Sequence, residues 1–414
     1  MNALPGSRLA EHHAAGVPSS RPSPRSGQLP KAPVLGWRSL WPDSYPALPN
    51  LSQLPHRAYT TSGRAALLAA LRQLDLRPGS VVLVPTYHCP TMVAPVLQAG
   101  LVPAYFPIGA DGLPALDGIE AAIAASARVM FVAHYFGLPK SLHKVHAWCQ
   151  ARGIVLVEDC AHSYFGRAGD RPVGHWGDYA TASLSKFFPV AEGGLLASAH
   201  HELKPLRLTP PGLRAQLKGA IDVIEFAHRH QRLAGLSHLL APSFWLKNRG
   251  RAQTSALEAS GPESAPSAAS LMTGCDMARV ALAPCAATLA LHLLMPVGRV
   301  VQQRRKNYRS LAASLAGAPG AQALAPALPD EAAPYVWPLW LDGPERADAI
   351  YARLRAAQLP VFRWDRVWPG TPADPQDEGS KWSRQVLQIL CHQDLDAADM
   401  VFVAHTTRHI LHAA

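Results

Sequence analysis

Apolar positions along the 414-residue chain fall into short runs of strand type separated by helical stretches. Ser62-Gly63 precedes an Ala/Leu-rich segment from Arg64 to Leu74, with a serine suited to capping a helix and Pro78-Gly79 suited to ending it. Strand-type runs follow at 81–84, 102–106, 129–133, 154–157, 179–183 and 194–198, with helical patterns at 114–126 and 142–152 between several of them. This alternation predicts an α/β fold with a mainly parallel sheet covered by helices. Such sheets hold ligands beyond the carboxyl ends of their strands.

Past residue 200 the pattern changes. A basic helical stretch at 213–240 gives way to an Ala/Ser/Pro/Glu-rich segment at 255–269. A helix at 299–315, a strand at 335–341 and a helix at 346–357 then suit a smaller α+β domain. The most apolar stretch, 280–297, is interrupted by Pro284, His292 and Pro296 and is short for a bilayer span, so it reads as a buried helix. The predicted organisation is a flexible arm over 1–34, a large domain over 35–202, a basic helical insertion and linker over 203–270, and a C-terminal domain over 271–414.

Composition narrows the picture. With 48% hydrophobic and 16% charged residues, the chain buries a large core rather than staying unfolded. The net charge of +10 is local, because 1–34 carries net +3 and 203–251 net +7, leaving the rest near neutral. That distribution, with no zinc, helix-turn-helix or aromatic-basic signature, argues against nucleic acid as a partner. The basic helix and Phe244-Trp245 offer a surface for a membrane or a partner enzyme, against the alternative of a solvated helix over the rim of a site. Six cysteines show neither a CxxC pair nor zinc-ligand spacing, so reduced thiols and no metal are expected. The first 34 residues lack the apolar segment of a secretory signal, and a cytoplasmic location is expected.

Candidate chemistry lies at strand ends. Lys186 follows an apolar strand in Ser183-Leu-Ser-Lys186-Phe-Phe-Pro189, where partial desolvation lowers an amine's basicity toward nucleophilic, Schiff-base use. Upstream, Glu158-Asp159-Cys160-Ala161-His162 puts two acids at the end of a buried strand, where a carboxylate can pair with a pyridine nitrogen. The helix start at Ser62-Gly63-Arg64-Ala65 offers main-chain N–H groups to an anion. Tyr87 and His88, in Pro85-Thr-Tyr87-His88-Cys89-Pro90, either stack on a ring or simply cap a packed sheet edge.

Taken in order, these elements resemble the DegT/DnrJ/EryC1/StrS family of sugar aminotransferases, of the pyridoxal-phosphate-dependent fold type I class. The resemblance runs from about residue 60 to 198 and includes His134-Tyr135-Phe136-Gly137-Leu-Pro139. Weaker likeness continues in Arg304-Arg305-Lys306-Asn307-Tyr308 and Leu390-Cys391-His392-Gln393-Asp394-Leu395. It implies a large domain with a mainly parallel seven-stranded sheet between helices and a smaller C-terminal α+β domain. It also implies pyridoxal 5'-phosphate as cofactor, glutamate as amino donor, a keto sugar, nucleotide-linked, as acceptor, and a homodimer. The pathway would be that of a cell-surface polysaccharide or a secondary metabolite.

The roles implied by the resemblance follow position by position. Lys186 would hold the cofactor covalently and then move the proton. Asp159 would pair with the pyridinium nitrogen and His162 would contact the ring hydroxyl. Ser183, with the backbone of Gly63, Arg64 and Ala65, would bind phosphate, and Tyr87 or His88 would stack on the ring. Lysine at 186, where some relatives have histidine and act as dehydratases, argues for transamination. Two departures stand out: Arg64 takes a position usually held by threonine, and 269–273 lacks the Asn-x-Arg that relatives offer across subunits. Alternatives are a fold type I enzyme acting on a non-sugar ketone, or a catalytically weak scaffold docking on a membrane or partner.

Overall fold

The structure is a computed structural model, and it describes residues 29–235 and 267–413. The large domain runs through β1 (His56–Thr60), α1 (Gly63–Gln73), β2 (Val81–Pro85), α2 (Pro90–Gln98), β3 (Val102–Phe106), α3 (Ala121–Ser126), β4 (Ala127–Ala133), α4 (His143–Gln150) and β5 (Val155–Asp159). A short hairpin, β6 (Arg167–Ala168) and β7 (Arg171–Pro172), precedes β8 (Tyr179–Ser183) and β9 (Gly194–Ser198). Seven strands form one sheet in the order β1-β9-β8-β5-β4-β2-β3. The run from β8 to β3 is parallel, while β9 pairs antiparallel with both β8 and β1. The central strands are buried on both faces, which is why they read as continuous apolar runs rather than alternating ones.

Helix α5 (Leu213–Arg229) leads away from this domain, and α6 (Ala268–Gly274), α7 (Ala286–Leu294) and α8 (Val297–Leu315) return to it. The C-terminal part holds β10 (Ala321–Ala323), β11 (Val336–Leu341), α9 (Pro344–Ala356), β12 (Val361–Phe362), α10 (Glu378–Gln385), β13 (Val386–Leu390) and α11 (Ala397–His412). Its four strands form an antiparallel sheet in the order β10-β11-β13-β12. The fold is thus α/β, with the mainly parallel seven-stranded sheet expected and a smaller α+β unit beside it. Among the described residues no helix is long and apolar enough to cross a membrane.

Four expectations change. The stretch 280–297 is not one buried helix: the prolines at 284 and 296 divide it, α7 occupies 286–294, and Leu293 and Leu294 are 67% and 74% exposed. The helix expected at 114–126 shortens to α3, because the Asp117-Gly118 step closes a separate 3-10 turn. Most of the expected arm lies outside the described residues, but its end packs on the body. There Leu29 and Val34 are buried, the Val34 N–H donates to Asp394 at 3.0 Å, and His392 Nε2 donates to the carbonyl of Pro30 at 3.0 Å. The expected helix at 213–240 ends at Arg229, and the Ala/Ser/Pro/Glu-rich segment falls mainly outside the described residues.

Candidate active site

The carboxyl ends of β4, β5 and β8 and the amino end of α1 meet in one cleft of about 420 Å³. Gly63, Arg64, Asp159, His162, Ser183 and Lys186, all expected at a site, line it together. They converge because β5 lies between β4 and β8 in the sheet and α1 packs on β8 and β9. Gly63 suits that packing, since a Cβ there would lie 3.3 Å from the Cβ of Ser183 and crowd it.

Lys186 sits in the turn just past β8. Burial holds its ammonium below the ordinary lysine range, with Asp159 and Cys89 pulling the other way. Its Nζ lies 5.2 Å from the ring centre of Tyr335 and 6.0 Å from that of Trp364. Burial pushes the Asp159 carboxyl up, while Lys186, the Ala161 N–H at 2.9 Å and His134 draw it down. His162 is driven well below its usual range, first by burial and then by Lys186, so the imidazole is neutral. Its Nδ1 accepts from the Phe136 N–H at 3.4 Å, and its ring stacks on Tyr335 at 4.4 Å between centroids.

At the other end of the cleft the Ser62 hydroxyl caps α1 by accepting from the Ala65 N–H at 3.3 Å. The N–H groups of Gly63 and Arg64 are therefore the ones this helix end leaves for an anion. Ser183 Oγ lies 3.5 Å from Ser185 Oγ, and both serines line the cleft. Arg64 pairs with Asp276 at 3.4 Å, and Arg279 pairs with Glu192 on the rim. An amine, a carboxylate, a neutral imidazole and a helix-end anion cradle form a donor set that fits pyridoxal phosphate.

Tyr87 and His88 do not line this cleft. Tyr87 is wholly buried among Tyr135, Phe136, Trp364 and Trp382. His88, equally buried, donates from Nδ1 to the Pro85 carbonyl at 2.8 Å, accepts the Trp368 N–H at Nε2 and stacks on Tyr105. Both point into packing because α2 starts at once, with Pro90 in its first position, and turns the chain so that Cys89 faces the cleft instead. Ala65, its N–H taken by Ser62, lies behind the helix end.

Sequence reasoning missed the side chains that the C-terminal part adds: Tyr335, Phe362, Arg363, Trp364 and Gln388 all line the cleft. A glutamine inside the apolar run 386–390 was the available signal. Beside Lys186 a second cavity of about 410 Å³ is walled by Lys31, Ala32, Pro33 and Leu35, by α5 and by Leu390. Beside the cleft, Glu158 accepts from His134 Nε2 at 2.8 Å and from the N–H groups of Gly174, Trp176 and Gly177. Burial pushes this carboxyl up, but those bonds hold it below the ordinary range, so Glu158 organises the 174–177 turn.

Residues 47–209 match the model of the DegT/DnrJ/EryC1/StrS aminotransferase family. A UDP-N-acetyl-3-dehydro-alpha-D-glucosamine 3-aminotransferase of Acidithiobacillus ferrooxidans is 33% identical over 162 residues, 37% of this chain and 43% of the relative. A dTDP-4-dehydro-2,3,6-trideoxy-D-glucose 4-aminotransferase of Saccharopolyspora spinosa is 29% identical over 166 residues, 39% of this chain and 43% of the relative. The matches thus span about two fifths of those curated relatives. The fold extends further: the aminotransferase TlmJ of Streptoalloteichus hindustanus superposes over 86% of each chain with a TM-score of 0.57 at 17% identity. Residues 47–209, which bring Gly63, Asp159 and Lys186 to one cleft, are thus the part of the chain that is similar to the DegT/DnrJ/EryC1/StrS aminotransferase family.

Proposed function

We propose that the protein is a pyridoxal-phosphate-dependent aminotransferase that moves an amino group from glutamate to a keto sugar, nucleotide-linked, in the cytoplasm. The observation that carries this reading is Lys186, an amine held below ordinary basicity in the same cleft as Asp159 and the α1 amino end. Its support from similarity is that the relatives named above act on UDP- and dTDP-linked keto sugars.

When bound, pyridoxal phosphate supplies an aldehyde conjugated to a pyridinium ring that withdraws electrons from the substrate's amino-bearing carbon. The chain's own residues would hold it: Lys186 at the aldehyde, Asp159 at the ring nitrogen, His162 at the ring hydroxyl, and Ser183 with the Gly63 and Arg64 N–H groups at the phosphate. Lys186 Nζ is the proton carrier, because a lowered basicity lets it take a proton from carbon and give it back near neutral pH. The pocket's aromatic wall, Trp364 and Tyr335, limits water around Nζ. Tyr87 and His88 take no part in this reading.

A homodimer is part of the proposal. It is supported by Leu213, Leu217 and Ile221, one apolar stripe on α5, which are 75%, 55% and 42% exposed. Sedimentation reads the assembly, and a fully active monomer contradicts it. The activity is tested by the two half-reactions: loaded protein should lose its visible absorbance on adding glutamate and regain it with an acceptor. Absorbance unmoved by glutamate would refute donor use.

A further inference from the structure

The second cavity shares Ser185, Lys186, Ala191 and Tyr335 with the candidate cleft, so the two spaces meet at the lysine. One wall of it, residues 185–191, lies within the stretch that matches the family model, whereas Lys31, Leu35, α5 and Leu390 all lie outside 47–209. Parts of the chain beyond the family match therefore close a chamber of about 410 Å³ against Lys186, a size that holds a small molecule.

Most of its lining is apolar: Leu35, Pro189, Val190, Val223, Phe226 and Leu390. The polar side chains are few, and two of them are already engaged. His392 donates from Nε2 to the Pro30 carbonyl and accepts the Asp394 N–H at Nδ1, and Asp222 is paired with Lys218. Ser185 and Tyr335 add hydroxyls. Lys31 differs from these, because its ammonium is exposed and has no ion-pair partner among the described residues.

An apolar chamber with an unpaired cation on its wall suits a ligand that is apolar along its length and anionic at one end. A sugar would strand its hydroxyls against alkyl walls, which is costly. An alkyl chain gains from those walls as its methylenes leave water, and a carboxylate at its end gains from Lys31. We infer that the chamber is a binding site for an apolar carboxylate, an acyl chain seated along Val190, Val223 and Phe226 with its carboxylate toward Lys31. This goes beyond the proposed function, since neither glutamate nor a keto sugar has such a body, and the site needs no cofactor to form.

Butyrate, hexanoate and octanoate probe it, titrated by calorimetry into the full-length protein. Binding should saturate at one site per chain, with affinity rising about tenfold for each two methylenes added. Lys31→Glu should weaken octanoate about fivefold and leave uncharged 1-octanol unmoved. Val223→Trp, which fills the chamber, should weaken octanoate and 1-octanol alike by about tenfold or more. Should Val223→Trp not fold, Leu35→Trp on the half-buried opposite segment and the exposed Lys31→Glu still decide. Affinity that does not grow with chain length, or octanoate binding untouched by Lys31→Glu or by the filled chamber, overturns the inference. So does displacement of octanoate by glutamate, since the chamber would then belong to the amino donor. Failure of wild-type protein to take up pyridoxal phosphate, read separately by absorbance, counts against the proposed function and leaves the octanoate series to be scored on its own.

Discussion

The Arg304 guanidinium, buried in α8, donates to the main-chain carbonyl of Lys186 at 2.6 Å. The same group bonds to Gln393 Oε1 at 2.8 Å and to the Pro334 carbonyl at 3.1 Å, and it lies 4.5 Å from the Phe187 ring centre. Gln393 in turn donates to the Phe187 carbonyl at 2.8 Å. The backbone of the turn that carries Lys186 is thus clamped from the C-terminal part, and the lysine stands on a fixed base.

Removing that clamp should cost both stability and placement. Arg304→Ala is expected to lower unfolding free energy by about 3 kcal/mol, because several buried carbonyls lose their donor. Arg304→Lys should recover less than half, since an ammonium lacks the planar fork. Urea unfolding measures the loss, and an Arg304→Ala variant within 0.5 kcal/mol of wild type, on the order expected for surface changes, rejects the clamp.

Cys89 should be the reactive thiol. It is the one cysteine of six that is not buried, and it lines the cleft. Iodoacetamide is expected to modify one thiol per chain rapidly, with pyridoxal phosphate slowing the reaction. Modification first at another cysteine, or no protection by the cofactor, goes against the cleft's assignment.

Two buried histidines set an acid limit to stability. His88 and His392 each donate from one ring nitrogen to a carbonyl and accept a main-chain N–H at the other, so neither has room for a second proton. Burial lowers His88 to about 4 and His392 to about 3. The unfolded chain takes up these protons near pH 6.5 while the folded one resists. Their stabilisation is therefore complete above pH 6.5 and is lost as pH falls toward 4, on the order of 3 kcal/mol for His88. His88→Gln, which keeps one donor and one acceptor, should flatten the fall in unfolding midpoint between pH 7 and pH 4.5. An unchanged slope disproves the assignment.

The segment after residue 28 should come loose when its anchor is cut. Asp394 accepts the Val34 N–H at 3.0 Å and pairs with Arg299 at 3.0 Å. Asp394→Ala is expected to speed tryptic cleavage after Lys31 and Arg38, both exposed, by about tenfold, corresponding to about 1.4 kcal/mol of local opening. Cleavage at the wild-type rate means that the anchor contributes nothing.

Much of the large domain was legible because its strands are buried on both faces and its helices are bounded by strong stops. The runs at 102–106, 179–183 and 194–198 are the observed strands residue for residue. Strand ends then pointed to Asp159, Ser183 and Lys186. The reading failed where direction rather than element type mattered: the order Tyr87-His88-Cys89 does not reveal which side chain α2 turns toward the cleft. It also failed across long sequence separations. Gln388 and Trp364 reach Lys186 only because β12 and β13 fold back against the large domain. The tie of Val34 to Asp394, 360 residues apart, is likewise invisible to local periodicity.

The central claim is that Lys186 is the amine that binds the cofactor. Reduction of pyridoxal-phosphate-loaded protein with borohydride, followed by peptide mass mapping, should place one phosphopyridoxyl group on the peptide carrying Lys186 and none on Lys186→Ala. Its appearance on a different lysine, or equal incorporation in Lys186→Ala, would contradict the account.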